Sequence, residues 1–314
     1  MHKDIILGIK NASYLTIGNV ITSLVSLLGF VYIARLLGPN DYGIYVTVLS
    51  YVFLFEIFLL KGLNTVIVRE SVKDIQRTEY VLNGNIGLRN LFIVISVIFC
   101  IVSLHIVNYS EQIKFFITVS LLQLVYVGYR DYISNIFQIV EKMEYIPIFG
   151  IIDRLLFLFL SVFLIHKDYG ILSLLVASIL VHFFTLSLSY FKSREFYKFS
   201  YFSPVKYDSY MLRSSVLFSL ISVANILSSH SDIVMISVLG NSEDAGIFGV
   251  PHIIVQQINM VRGAVLAAFF PVVIKMLKNN ALDWKWLFFS SFKIFLFITF
   301  VIIIGYILSD YIII

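Results

Sequence analysis

Arg35-Leu36-Leu37-Gly38-Pro39-Asn40-Asp41-Tyr42-Gly43-Ile44-Tyr45 is a short polar connection between two long apolar runs. Pro fixes φ, Gly permits positive φ, and Asx side chains bond their own backbone, so these residues in close succession make a turn. The stretch predicts a tight helix-to-helix hairpin. A weaker copy lies at Leu239-Gly240-Asn241-Ser242-Glu243-Asp244-Ala245-Gly246-Ile247-Phe248. A shift of 203 residues puts Leu36 on Leu239, Asp41 on Asp244, Gly43 on Gly246, Ile44 on Ile247 and Tyr45 on Phe248. Two copies of one hairpin predict two copies of one bundle, arranged as a parallel internal repeat.

The runs flanking the hairpins set the class. Of 314 residues, 59% are hydrophobic and only 13% charged, with a mean hydropathy of +0.93; a soluble domain carries about 25% charged residues. A spanning helix needs about 20 apolar residues, whereas barrel strands show short alternating segments, so the long runs predict an all-α integral membrane protein. Nine candidate spans follow, at 13–34, 43–63, 87–107, 113–135, 145–165, 170–191, 213–239, 246–272 and 285–308. The gaps between them are too short for a soluble domain. Tyr311 and the three isoleucines after it read as the start of a tenth span cut short. The segment before the first span is short and polar, so no cleavable signal is expected. Cys100, the single cysteine, lies inside an apolar run and has no intrachain disulfide partner.

Orientation follows from the bias of Lys and Arg toward cytoplasmic loops. With the N-terminus inside, Lys3, Lys10, Arg69, Lys73, Arg77, Lys142, Lys192, Arg194, Lys198, Lys206, Lys275, Lys278 and Lys285 share one side, while Arg35, Lys114 and Lys167 share the other. Both hairpins then face outward. The small net charge of +4 reports topology and gives no reason to expect a nucleic-acid partner. The expected organisation is a first six-helix lobe over 1–191, a basic cytoplasmic linker over 192–212 suited to anionic headgroups, and a partial second lobe of about three helices over 213–314.

Polar residues recur at helical spacing in the two spans that precede the hairpins. Thr16, Asn19, Ser23 and Ser26 share a face in the first; Ser215, Ser219, Ser222, Asn225, Ser229 and Asp232 do so in the seventh. Close packing of small residues explains such a stripe as well as a cavity wall does. In the seventh span Asn225, His230 and Asp232 favour the wall, because they are costly against lipid.

Ionisable residues also fall within spans: Glu56, Arg89, Arg130, Asp131, Asp153, Arg154, Asp232 and Arg262. A charge at the bilayer centre costs at least about 2.5–3.5 kcal/mol, so each is expected to face protein or water. The repeat places Glu56 on Asn259, one turn before Arg262. Snorkelling toward the interface and a cavity contact are both open for Arg89 and Arg130, as are a buried ion pair and a binding role for Arg154 and Arg262. His182 and His252 have no partner at metal-ligand spacing, whereas His230 near Asp232 suits protonation coupling. There is no P-loop, His-Glu-x-x-His or nucleophile elbow, and no metal or cofactor is expected.

Ala34-Arg35-Leu36-Leu37-Gly38-Pro39, Asp41-Tyr42-Gly43-Ile44-Tyr45, Gly62-Leu63 and Arg69-Glu70 together resemble the polysaccharide flippases, the Wzx-type branch of the multidrug/oligosaccharidyl-lipid/polysaccharide exporter superfamily. Members are built as two six-helix lobes, so the resemblance implies a C-terminally truncated chain. It implies a cell-membrane transporter, not an enzyme, that flips a lipid-pyrophosphate-linked oligosaccharide to the outer leaflet by alternating access. Arg154 and Arg262 would hold the phosphates, with Arg89 and Arg130 as entry contacts, because arginine forks match phosphate geometry. Asn19, Ser222, Asn225 and Asn259 would offer sugar partners. Glu56, Asp153, Asp232 and His230 would balance charge or bind a coupling proton or cation. Gly38, Pro39, Gly43, Gly240 and Gly246 would form structural hinges. Membrane lipids and polysaccharide-assembly proteins are the implied partners beside the glycan. Competing readings are an ion-coupled multidrug exporter of the same superfamily, a polytopic polymerase or acyltransferase, and a non-transporting scaffold.

Overall fold

The computed structural model describes residues 2–198 and 209–278, the side chains of 2–10, 12 and 261–278 excepted. Its helices are α1 (His2–Leu54), α2 (Gly62–Lys73), α3 (Thr78–Leu104), α4 (Glu111–Ser120), α5 (Leu122–Ile139), α6 (Tyr145–Ile165), α7 (Gly170–Ser193), α8 (Ser209–Leu239) and α9 (Ser242–Lys278), and no strand occurs among the described residues. The protein is an all-α, multi-pass membrane protein. Among the described residues, six stretches are long and apolar enough to cross a membrane, beginning with Ser13–Leu59. The expected ninth span, 285–308, and the middle of the 192–212 linker lie outside the described residues.

Ser13–Leu59 holds two passes. Gly38 interrupts α1 with φ 77 and ψ 170, a region that only glycine occupies without strain. Pro39 then opens the second arm, where its missing N–H goes unused and its fixed φ is already helical. The connection is thus tighter than the sequence suggests: a single residue turns the chain, and Pro39 to Tyr45 already belong to the returning helix.

Contacts along the arms establish the reversal. On the first arm Gly18 meets Pro147 and Gly29 meets Leu158, so it runs parallel to α6. On the second, the Tyr51 hydroxyl meets Ser103 Oγ at 2.7 Å, and Ser96 Oγ donates to the Phe55 carbonyl at 2.7 Å. That arm therefore runs antiparallel to α3. Counting both arms, α3, the near-continuous α4–α5 pair, α6 and α7, six passes precede α8 and α9.

The 203-residue repeat is visible where α1 meets α9. A Cβ on Gly43 would lie 1.6 Å from the Ser242 carbonyl oxygen, and one on Gly246 would lie 1.9 Å from the Pro39 carbonyl oxygen. Each pair maps onto the other under that shift. The second hairpin is nevertheless built differently: Gly240 is not among the positive-φ glycines, and the Asp244 amide donates to Asn241 Oδ1 at 2.8 Å as a helix cap.

The span expected over 43–63 does not continue as one helix. It tightens into a 3₁₀ turn at Phe55–Leu59, and Leu60 adopts a left-handed conformation with φ 48 and ψ 54 before α2 begins. Freed backbone groups within a membrane need partners, and other helices supply them. Arg89 donates to the Leu59 carbonyl at 3.3 Å, Ser96 serves Phe55, and the Gly62 amide donates to Ser219 Oγ at 2.9 Å. Two apolar cores lie at either end of the bundle, one around Tyr42, Tyr51 and Leu174, the other around Leu63, Tyr132 and Phe137.

Candidate functional site

Between these cores lies a cavity of about 590 Å³, walled by both arms of α1 and by α5, α6, α7, α8 and α9. Polar groups reach it from every side: Asn19 and Thr22 from the first arm, Ser50 and Glu56 from the second, Gln123, Arg130 and Asp131 from α5, Asp153 and Arg154 from α6, His182 and Thr185 from α7, His230 from α8, and His252 and Gln256 from α9.

The charges divide into two groups. Lys61 pairs with Glu56 and stands 3.6 Å from Asp131, while Arg130 Nη2 lies 2.9 Å from Asp131. Beside the helix break, four charges therefore satisfy one another. Asp153 is held separately by Thr185 Oγ1 at 2.7 Å and by His182 Nε2 at 3.4 Å. Of the arginines lining the cavity, Arg154 has no acidic partner at ion-pair distance among the described residues; its guanidinium lies 5.9 Å from the centre of the Phe30 ring. A half-buried cation with an aromatic neighbour and no counter-ion is an open anion site in a medium of low dielectric.

Of the four arginines expected to contact phosphate, Arg130 and Arg154 line the cavity. Arg89 does not. It is fully buried and hydrogen-bonds Asn64 as well as the Leu59 carbonyl. The side chain of Arg262 lies outside the described residues.

Glu56, Asp153, Asn19 and His230 line the cavity, whereas Ser222, Asn225, Asp232 and Asn259 do not; the last three are exposed on the chain. The two polar stripes thus differ from expectation. In the first span Asn19 and Thr22 face the cavity. In the seventh, Ser215 and Ser219 are buried where α8 meets Gly62, whose Cβ would lie 2.1 Å from the Ser215 carbonyl oxygen. There the small residues serve close approach.

Sequence spacing gave no sign of Gln123, Tyr126, His182, His252 and Gln256. His182 Nδ1 meets Gln123 Oε1 at 2.6 Å, and its ring stacks on Tyr126 at 4.2 Å. His252 Nε2 lies 2.9 Å from the Ser229 carbonyl. Their partners come from other helices. The one available signal was that a histidine inside a span is itself costly against lipid.

The sequence pattern of the family described as "Polysaccharide biosynthesis protein" matches residues 9–277. The chain belongs to that family. No curated protein matches this family member. Among solved structures, the MATE multidrug transporter DinF-BH is similar with a TM-score of 0.64 and 16% identity, over 85% of this chain and 64% of its own. An outward-facing multidrug resistance MATE transporter of the MOP superfamily is similar at 0.56 and 15%, over 87% of this chain and 71% of that one. A MOP superfamily transporter from Pyrococcus furiosus is similar at 0.55 and 15%, with the same coverage. These likenesses establish a shared fold, and the polysaccharide biosynthesis family member spans 64% of the length of DinF-BH.

Proposed function

We propose that this chain belongs to a transporter in the cell membrane, its N-terminus cytoplasmic, that moves a lipid-linked oligosaccharide between leaflets, the cavity receiving the pyrophosphate and its proximal sugar. The observation that carries this reading is Arg154, a cation in the cavity wall with no carboxylate at ion-pair distance among the described residues. Glu56 and Asp131 are paired with Lys61 and Arg130, and Asp153 accepts from the Thr185 hydroxyl, which leaves Arg154 as the cavity cation open to an incoming anion. A cavity of about 590 Å³ is of ordinary ligand-site size. It suits the head of such a lipid and not an entire glycan. Asn19, Thr22, Gln256 and Gln257 supply amide and hydroxyl partners for a sugar.

The test uses cells deficient in glycan flipping, complemented with the full-length protein. Wild type and Arg154→Lys are expected to restore surface glycan, and Arg154→Ala to leave lipid-linked glycan at the inner leaflet despite normal insertion. Resistance to cationic drugs without any glycan phenotype would instead select the multidrug reading, which the fold shared with DinF-BH accommodates.

A further inference from the structure

The Asp153–His182 contact has a hydrogen-bond environment that fixes one side of the imidazole and leaves the other free to change. The Leu175 carbonyl can only accept. Ser178 Oγ donates to it at 2.7 Å, so the one Ser178 proton is committed. Ser178 Oγ must then accept from Gln123, whose Nε2 lies 2.7 Å away. That orients the amide so that Oε1 faces His182 Nδ1 at 2.6 Å. An amide oxygen cannot donate, so Nδ1 carries a proton. The variable nitrogen is Nε2, and it faces Asp153 Oδ2 at 3.4 Å.

Asp153 is equally provided for in both protonation states. Thr185 Oγ1 lies 2.7 Å from Asp153 Oδ1 and 3.1 Å from each of the Val181 and His182 carbonyls. When the carboxylate is ionised, the hydroxyl donates to it. When Asp153 is protonated through Oδ1, the hydroxyl turns its own proton to a backbone carbonyl and accepts instead. In either state the Thr185 hydroxyl and Asp153 Oδ1 keep a hydrogen bond between them.

We propose that Asp153 and His182 together hold one exchangeable proton, and that its arrival strengthens the binding of an anion at Arg154. With His182 neutral, Glu56, Asp131 and Asp153 balance Lys61, Arg130 and Arg154 around the cavity. Protonation gives the site a net positive charge. The groups facing the pair enforce this coupling. From α6, Arg154 follows Asp153 directly in sequence. From α5, Tyr126 stacks on the His182 ring at 4.2 Å and carries Arg130 5.5 Å from its centre. Tyr42 and Tyr45 face the cavity from α1, Glu56 from the 3₁₀ turn that follows it, His230 from α8 and His252 from α9, while α4 adds no lining residue. Proton and anion then bind with mutual reinforcement, because linkage is reciprocal.

The anion arm rests on the transport reading above, whereas the shared proton does not. The test uses the full chain in lipid nanodiscs. Histidine NMR follows His182, assigned by its loss in His182→Gln. Its Nε2 is expected to titrate within the pH range of the measurement while Nδ1 stays protonated, and Asp153→Asn is expected to shift that titration. A His182 that does not titrate, or that ignores Asp153→Asn, overturns the shared proton.

Calorimetry with a short-chain pyrophosphate diester, whose charge is constant over that range, tests the coupling. Wild-type affinity is expected to fall by up to about tenfold per pH unit above the midpoint, with proton uptake on binding. His182→Gln should bind without that slope. A slope that survives in His182→Gln overturns the coupling. Absence of diester binding at every pH overturns both the coupling and the phosphate role of Arg154, and leaves the NMR result to decide the shared proton.

Discussion

Gly43 and Gly246 touch backbone to backbone: a Cβ on either would lie 2.9 Å from the amide nitrogen of the other. The contact is reciprocal because the sequence repeats. Pro39 and Ser242, one turn before each glycine, supply the two carbonyl oxygens that a methyl group would strike, so the second arm of α1 and the start of α9 cross on a local two-fold axis beneath the hairpins. Any side chain at either position must separate the helices, and overpacking a tight contact costs about 1–3 kcal/mol. Gly43→Val and Gly246→Val are expected to push this end apart by similar amounts. Spin labels at the exposed residues Asn40 and Glu243 should report a longer, broader distance in each variant than in wild type.

Gly38 makes the opposite kind of demand. No atom lies within 4 Å of where its Cβ would be, yet φ 77 with ψ 170 penalises any L side chain by about 1–3 kcal/mol. Gly38→Ala should therefore lower the melting temperature through backbone strain, without a packing defect. Asn tolerates the left-handed helical region, where ψ is near +47°, and ψ here is far from it. Gly38→Asn is expected to rescue nothing, and equal losses for Ala and Asn in a thermal melt would establish this.

Much of the fold was legible because its causes are local. Composition gave the membrane class, and Gly38-Pro39 gave the reversal, since both chemistries act within a residue or two. The break at Leu60 was not legible: nothing in Phe55 to Leu60 signals an end of helix, and the interruption is stabilised from outside by Arg89, Ser96 and Ser219. The cavity was half legible. Arg154 and Asp153 stood out as mid-span charges, yet a charge alone does not say which way its helix faces. Arg89 passed for a cavity group, and His182 passed for a lone histidine because its partners, Gln123 and Asp153, lie on other helices.

Arg89 serves the break and not the cavity, which makes its substitution a test of stability. It is fully buried, and its removal strands the Leu59 carbonyl at a cost of about 1–3 kcal/mol. Arg89→Leu should lower the yield of folded protein and its melting temperature. Ser219→Ala, which removes the acceptor for the Gly62 amide, is expected to cost less, since it strands one neutral donor. Differential scanning fluorimetry in detergent would rank the two.

At the linker end, Glu70 ties α2 to the start of α8. The hydrogen bond from Lys73, with a further one from Arg69, holds its carboxyl below the usual 4.5. Arg69 in turn donates to the Tyr210 hydroxyl at 3.0 Å and lies 5.6 Å from the Phe218 ring centre. A depressed folded value means that the contribution is complete above the unfolded value and is lost as pH falls through the folded one. Acid below about pH 4, or high salt, should therefore speed amide exchange in α2 and early α8. Glu70→Gln should show that faster exchange already at neutral pH.

Arg130 and Arg154 separate a paired from an unpaired cation within one cavity. Arg130 neutralises Asp131 at 2.9 Å, so Arg130→Ala leaves that half-buried carboxylate to Lys61 alone, which already pairs with Glu56. Stability is expected to fall more than anion binding does. Arg154 offsets no carboxylate at ion-pair distance among the described residues, so Arg154→Ala should leave the stability within about 0.5 kcal/mol of wild type while abolishing diester binding. Arg154→Lys keeps the charge and loses the fork, and intermediate affinity is expected because an ammonium meets phosphate as a point charge. Melting temperatures and diester affinities for the three variants would decide the assignment: full binding by Arg154→Ala, or a large loss of its stability, would make Arg154 a structural cation and leave the cavity without its anion contact.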